Sequence, residues 1–416
     1  MFTIVDFNNF WSPSGGGVRR YHLQKMAFYE KLAAEQQPNL SETESAQVLS
    51  VFVMPDSKTF TEKKSESLII EHVEAYRFPG KWEYRFIWKP SQIKPILQKY
   101  QPQVIEVGSP YILPTMVRRA AKKIVPDAVL LSFWHADFPI TYVQRPIENV
   151  IGKKFGEATG KSIGNICKKI AFWYARREFK KFDGIQVSCN EVLERLDKNK
   201  LPKSHWIPLG CDIEMFSPSR RDDTLVKKLK DGNLERLTIF FPHRFCEEKG
   251  IELLLGAYPI LCERLGIEPA LVFAGTGPYL PQVQEAVKQY RHIQYAGFIS
   301  SIDEMARLYA SVDLGLALSG WETFGLSILE SMASGNAQIG ASTGAAAEHI
   351  EKSHAGITLK IRTPEALADT IVNLYHSDMQ AMKQNARAYA EKFSWTDCFK
   401  RQLLLYQQIY KQKRKS

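Results

Sequence analysis

The chain has 416 residues, 44% hydrophobic, 12% aromatic and 24% charged, a balance that excludes disordered, collagenous and coiled-coil classes and supplies cores for two or three domains. Its 55 Lys+Arg against 45 Asp+Glu give a formal net charge of +10, which favours anionic partners: nucleic acid, anionic lipid or a phosphorylated substrate. No run approaches the length of a membrane span, and Met1, Phe2, Thr3, Ile4, Val5 and Asp6 do not start a signal peptide, so neither spanning nor export is predicted. The six cysteines at 167, 189, 211, 246, 262 and 398 lack the close spacing of metal knuckles or redox pairs, which fits a reducing compartment.

Short apolar, β-branched runs at 2–5, 48–53, 104–107, 129–134, 185–188, 238–241, 270–274, 293–295, 314–316 and 338–339 are predicted strands, separated by longer segments of helical period. This alternation predicts an α/β chain with two doubly wound parallel sheets covered on both faces. The glycine cluster Ser14-Gly15-Gly16-Gly17-Val18-Arg19-Arg20-Tyr21 follows the first strand and opens a helix, either as a tight turn or as a close backbone approach to an anion. Residues 150–182 hold nine basic side chains against Glu157 and Glu178, and so carry +7 of the net +10. Within them Ile163, Ile166, Ile170 and Trp173 recur at helical spacing, with Phe155, Phe172, Tyr174, Phe179 and Phe182 among the cations. That pattern fits a helix lying on an anionic membrane surface, or one whose stripe packs on its own domain. No zinc-finger, RRM or helix-turn-helix signature favours nucleic acid.

The polar stretch 209–237 separates two α/β series. The predicted domains are therefore 1–205, 206–390 and a closing helix with a basic tail over 391–416. No internal repeat or low-complexity tract interrupts them.

Four places offer chemistry. His135 ends a predicted strand, where ligands collect in doubly wound sheets. Arg244 and Lys249, with Pro242 and Gly250 in the same segment, converge only if that segment is a loop leading into a helix. There they would bind a diphosphate, or else pair with Glu247 and Glu248. In the run 320–335, Leu326, Leu329 and Met332 set a short buried helix stopped by Gly335, with Glu330 inside it and Glu322 in the loop before. The amides around Phe324, Gly325 and Leu326 form a helix N-terminus suited to an anion.

The block from Glu322 through Phe324-Gly325-Leu326 to Glu330, with Arg244, Lys249-Gly250, Ala274-Gly275-Thr276-Gly277-Pro278, Tyr295-Ala296-Gly297-Phe298 and Gly16-Gly17-Val18, resembles the retaining, nucleotide-sugar-dependent glycosyltransferases of GT-B fold. That large family includes bacterial lipid and polysaccharide mannosyl- and glucosyltransferases. The resemblance implies two Rossmann-like domains facing a cleft, with a C-terminal helix crossing back to the first. It implies that Arg244 and Lys249 hold the donor diphosphate, Glu330 binds the ribose, Glu322 contacts the donor sugar and the amides of Phe324, Gly325 and Leu326 meet phosphate or sugar. Gly16 and Gly17 would close over the donor and His135 would lie near the reacting sugar. No Asp-x-Asp stands at a strand end, so no metal or other cofactor is expected. The expected partners are a nucleotide-sugar donor and a membrane surface reached through 150–182, placing the chain in the cytoplasm, peripheral to the inner face of the cell membrane. A soluble sugar or sugar-phosphate acceptor and a non-catalytic scaffold are the alternatives.

Overall fold

The computed structural model describes residues 1–11, 16–34, 47–77, 84–201 and 203–415. Ser14 and Gly15 of the first glycine cluster lie outside them. The chain forms two units, one from Met1–Pro208 with Trp395–Ser416 and one from Leu209–Ser394.

The first unit contains β1 (Phe2–Phe7), β2 (Val48–Asp56), β3 (Phe60–Lys63), β4 (Leu68–Glu74), β5 (Tyr76–Arg77), β6 (Arg85–Phe86), β7 (Val104–Val107), β8 (Val129–Phe133), β9 (Gly184–Val187) and β10 (Ser204–Trp206). Eight of these form one sheet in the order β10-β9-β8-β7-β1-β2-β4-β3, while β5 and β6 make a separate ribbon. Every pairing in the sheet is parallel except β3 on β4. All six residues of β1 are buried, as expected for a central strand covered on both faces. The core joins Ile4, Met26, Tyr29, Phe52, Val104 and Val129 to Tyr406 and Ile409 of the final helix, Trp395–Lys413.

A fully enclosed ion cluster holds that final helix in place. Lys25 Nζ donates to Asp6 at 2.9 Å, to Glu106 at 3.1 Å and to the Tyr406 hydroxyl at 3.3 Å. Gln402 donates to the Tyr21 hydroxyl at 2.7 Å and to Gln186 at 2.6 Å. Burial would push the Asp6 carboxyl up, but Lys25 and His22 outweigh it and hold it below its usual value. For Glu106, burial prevails over Lys25 and Asp6 adds to it, raising the carboxyl to about 7.

The second unit contains β11 (Thr238–Pro242), β12 (Ala270–Ala274), β13 (Ile293–Tyr295), β14 (Leu314–Ala317), β15 (Ala337–Ala341) and β16 (Gly356–Leu359). They form an all-parallel sheet in the order β13-β12-β11-β14-β15-β16. This is the doubly wound order of a Rossmann fold, with its reversal between β11 and β14. Ile239, Phe241, Leu271, Phe273, Leu314 and Ile339 pack under Leu254, Tyr258, Leu367 and Ile371. The ten predicted strands are present, several longer by one to three residues at an end. The sequence reading missed β3, β4, β5, β6, β10 and β16.

Glu106 takes up its proton far more readily folded than unfolded, so its contribution is largest in acid and is lost as pH rises from its unfolded value near 4.5 through about 7. Glu106→Gln removes this dependence: thermal melts should show wild-type stability falling between pH 5 and 8 by roughly 3 kcal/mol relative to the variant.

Candidate active site

Ligands of doubly wound sheets bind beyond the carboxyl ends of the two strands that flank the reversal. In the second unit these ends lead into residues 243–250 after β11 and 318–325 after β14. Residues 243–250 form the loop that the two cations require: a single 3-10 turn, Glu247–Lys249, then Gly250 at φ 79°, then the helix Ile251–Leu265. A Cβ on Gly250 would also press on Leu318 at 3.0 Å. The loop is clamped from the side by the turn after β12. The Phe245 amide donates to Thr276 O at 2.9 Å, and the Tyr279 amide to Phe245 O at 3.1 Å. A Cβ on Gly275 would lie 2.1 Å from His243 O, and one on Gly277 2.3 Å from Phe245 O. The glycines of this turn thus serve backbone-to-backbone packing that fixes residues 243–245.

Lys249 Nζ bonds Glu322 directly and stands 3.8 Å from Glu248. Burial pulls the ammonium down, but the two carboxylates outweigh it and raise its pKa. Glu322 mirrors this, pushed up by burial and brought below its usual value by Lys249. Both groups therefore stay charged across the neutral range. Arg244, on the same loop, is exposed, and among the described residues it makes no ion pair. His243 Nε2 donates to Leu316 O at 2.8 Å, tying β11 to β14. Burial and then Lys249 lower its pKa to about 4, so the ring is neutral.

The loop carrying Glu322 is anchored at several points. The Ala345 amide donates to Glu322 O at 3.1 Å, and His349 Nε2 donates to Phe324 O at 2.7 Å. Arg362 bonds Leu318 O. Gly325, at φ 76°, caps the helix Leu326–Ala333, whose buried residues include Glu330. The first amides of that helix have no intrahelical acceptor and point toward the loop.

In the first unit the reversal lies between β1 and β7. Asn8 follows β1, Gly108 and Ser109 follow β7, and His135 follows β8, the next strand. Ser109 Oγ donates to Asn8 Oδ1 at 3.0 Å, and Asn8 Nδ2 donates to His22 Nε2 at 3.0 Å, while His22 Nδ1 donates to Val18 O at 2.8 Å. The His135 ring lies among Phe133, Tyr21 and His22 and would collide with any Cβ on Gly108, at 2.7 Å. Desolvation, then His22, brings its pKa well below the usual value, so it is a neutral imidazole. Gly16 and Gly17 are exposed where the helix Gly17–Ala34 begins, and a Cβ on Gly16 would meet nothing. The structure thus pairs Lys249 with Glu322, sets Arg244 and the Phe324–Gly325–Leu326–Glu330 segment on neighbouring strand ends, and keeps His135, Gly16 and Gly17 in the other unit. Among the described residues no group of three or more His, Cys, Asp or Glu side chains could hold a metal ion.

Residues 225–393 match the family of glycosyl transferases group 1. A glycosyltransferase from Rickettsia africae superposes with a TM-score of 0.68 at 19% identity, covering 98% of both chains. Sucrose-phosphate synthase from Thermosynechococcus elongatus does so at 0.70 and 16%, covering 99% of both. These likenesses show a GT-B fold, with the glycosyl transferases group 1 match confined to the second unit. Over 395 residues the chain is also 24% identical to the GDP-mannose-dependent alpha-(1-6)-phosphatidylinositol dimannoside mannosyltransferase of Mycobacterium tuberculosis, spanning 94% of this chain and 92% of that one.

Sequence reasoning passed over His243, His22, Asn8 and Arg362, whose positions arise only from tertiary contacts; His243 had the one available signal, adjacency to Arg244 at a strand end. The clamp on the 243–245 loop is directly testable. Gly275→Ala should cost roughly 2–4 kcal/mol in denaturant unfolding, because its methyl group meets a backbone carbonyl. Gly266→Ala, at φ 65° with open space around it, should cost about 1 kcal/mol.

Proposed function

We propose that this enzyme transfers a hexose from GDP- or UDP-hexose to a hydroxyl of a membrane lipid or lipid-linked saccharide, with retention of anomeric configuration and without a metal ion. The observation that carries the reading is the Lys249–Glu322 pair at the strand reversal, with Arg244 on the same loop. Arg244 and Lys249 bind the donor diphosphate and stabilise the charge it gains as the C1–oxygen bond to phosphate breaks. The amides of Phe324, Gly325 and Leu326 add dipoles to that task. Glu330 binds the ribose, Glu322 holds a donor-sugar hydroxyl, and Gly16 and Gly17 approach the donor. His135, being neutral, serves the sugar as a hydrogen-bonding group rather than as a cation. The acceptor oxygen bonds C1 on the face the diphosphate leaves, and its proton passes to that diphosphate, so no enzyme nucleophile is required.

Before the donor arrives Lys249 is occupied by Glu322, and a diphosphate must draw the ammonium away. Glu322→Gln should therefore tighten binding of the nucleoside diphosphate product while lowering kcat. Arg244→Ala and Lys249→Ala should each lower kcat about a hundredfold or more. Calorimetry and a thermal-shift screen of UDP-, GDP- and ADP-hexoses check this. Product binding weakened by Glu322→Gln, or full turnover with both cations removed, would sink the assignment.

The lipid acceptor rests on residues 150–182. The helices Arg145–Phe155 and Glu157–Phe179 form a hairpin that closes through glycines. A Cβ on Gly160 would lie 2.6 Å from Glu148 O, and one on Gly164 2.4 Å from the Glu148 side chain. Phe172, Phe179 and Phe182 are buried, whereas Val150, Phe155, Ile163, Ile166, Ile170 and Trp173 are exposed, Ile170 at 58% and Trp173 at 52%. Arg177 stacks over Trp173 at 5.6 Å. An exposed apolar stripe flanked by cations suits the interface of an anionic bilayer, and the mycobacterial relative is named a phosphatidylinositol dimannoside mannosyltransferase. Among the described residues no helix is long and apolar enough to cross a membrane, so the association would be peripheral, on the cytoplasmic face. Reversing Lys168, Lys169, Arg176 and Arg177 to Glu should abolish co-sedimentation with anionic vesicles. Undiminished sedimentation would favour a soluble acceptor.

A further inference from the structure

At the amino edge of the first unit's sheet lies a cavity of about 400 Å³, lined by Arg118, Lys122, Lys181 and Lys413 with Val125 and Leu130 among its apolar walls. The cations come from three directions: the helix Leu113–Ile124, the segment after Glu157–Phe179, and the final helix. Two carboxylates form ion pairs with them. Glu178 is shared by Arg118 and Lys181, both at 3.2 Å. Asp183 takes Lys413 at 2.8 Å. Lys122 makes no ion pair among the described residues. The lining side chains thus include four cations and no carboxylate beside apolar carbon, and the Arg118 and Glu178 side chains are 16% and 9% exposed, where water screens little.

This excess is unrelated to donor chemistry. The cavity touches the start of β8, whereas His135 follows its end, and five strand residues span about 16 Å. From the charge and the walls we infer that the cavity binds a phosphomonoester on a small carbon skeleton. Such a group carries about −1.5 to −2 near pH 7 and offers several acceptor oxygens for the cationic lining. Val125, Pro126 and Leu130 receive the carbon portion, and the volume suits a small ligand. Occupancy would tie the final helix, through Lys413, to the helix Leu113–Ile124 by charge-assisted hydrogen bonds.

The test uses the full chain carrying Arg244→Ala and Lys249→Ala, so that the donor site does not compete for phosphate. Titration calorimetry with glycerol 3-phosphate should show one saturable site. Lys122→Glu, an exposed position, should weaken it about tenfold or more, and Lys122→Ala should weaken it less. Lys288→Glu, on the other unit, should leave it within about twofold, excluding general electrostatics. Vesicles of phosphatidic acid in phosphatidylcholine distinguish the source. With Lys168→Glu, Lys169→Glu, Arg176→Glu and Arg177→Glu added so that the basic helix does not bind vesicles, loss of the remaining vesicle binding with Lys122→Glu assigns the phosphate to a lipid headgroup, and unchanged or absent vesicle binding assigns it to a free metabolite. No saturable glycerol 3-phosphate binding, equal binding by Lys122→Glu, or equal weakening by Lys288→Glu overturns the site.

Discussion

When two neighbouring parallel strands send their following connections to opposite faces of a sheet, neither connection covers the gap above their carboxyl ends. That gap is a consequence of winding, and in both units it gathers the candidate site residues. In the second unit, β11 and β14 border it and their loops deliver Lys249 and Glu322 to each other. In the first, β1 and β7 border it, and Asn8, Gly108 and Ser109 occupy the strand ends with His135 beside them. Positions at the opposite edge of either sheet cannot reach these groups.

The two units use buried charge for different ends. Lys25 is wholly enclosed between Asp6 and Glu106, with side chains at most 1% exposed. Desolvating three charges is costly, and breaking such a cluster costs more than replacing it whole. Its effect is to specify which residues of the final helix may sit against β1 and β7. Lys249 and Glu322 keep 18% and 23% of their side-chain surface. That leaves the ammonium partly open to solvent, while Glu322 and Glu248 outweigh burial and hold it protonated.

Much of the architecture was legible because continuous apolar runs such as Val129–Phe133 and Ala270–Ala274 have one stable use in an α/β chain, a strand covered on both faces. The missed β3, Phe60–Lys63, is a polar edge strand, and β10, Ser204–Trp206, is too short to show a pattern. The helix from Leu326 to Ala333 could be read from its leucine spacing and its glycine stop. Lys249's partner could not, since the chain offered Glu247 and Glu248 alongside while the fold brought Glu322 from 73 positions away. The helical stripe at 163–173 was legible as apolar, but which side faced out depended on Gly160 and Gly164 meeting the helix before them.

The closing helix sets a constraint on the order in which the two units can be completed. As the chain leaves the ribosome, Lys25, Asp6 and Glu106 emerge early, yet Gln402 and Tyr406, which complete their surroundings, follow the whole of Leu209–Ser394. The second unit can finish folding as a continuous stretch of nascent chain, whereas the first must wait with an open seam. The last contacts of the first unit are therefore made by residues synthesised after the whole of the second.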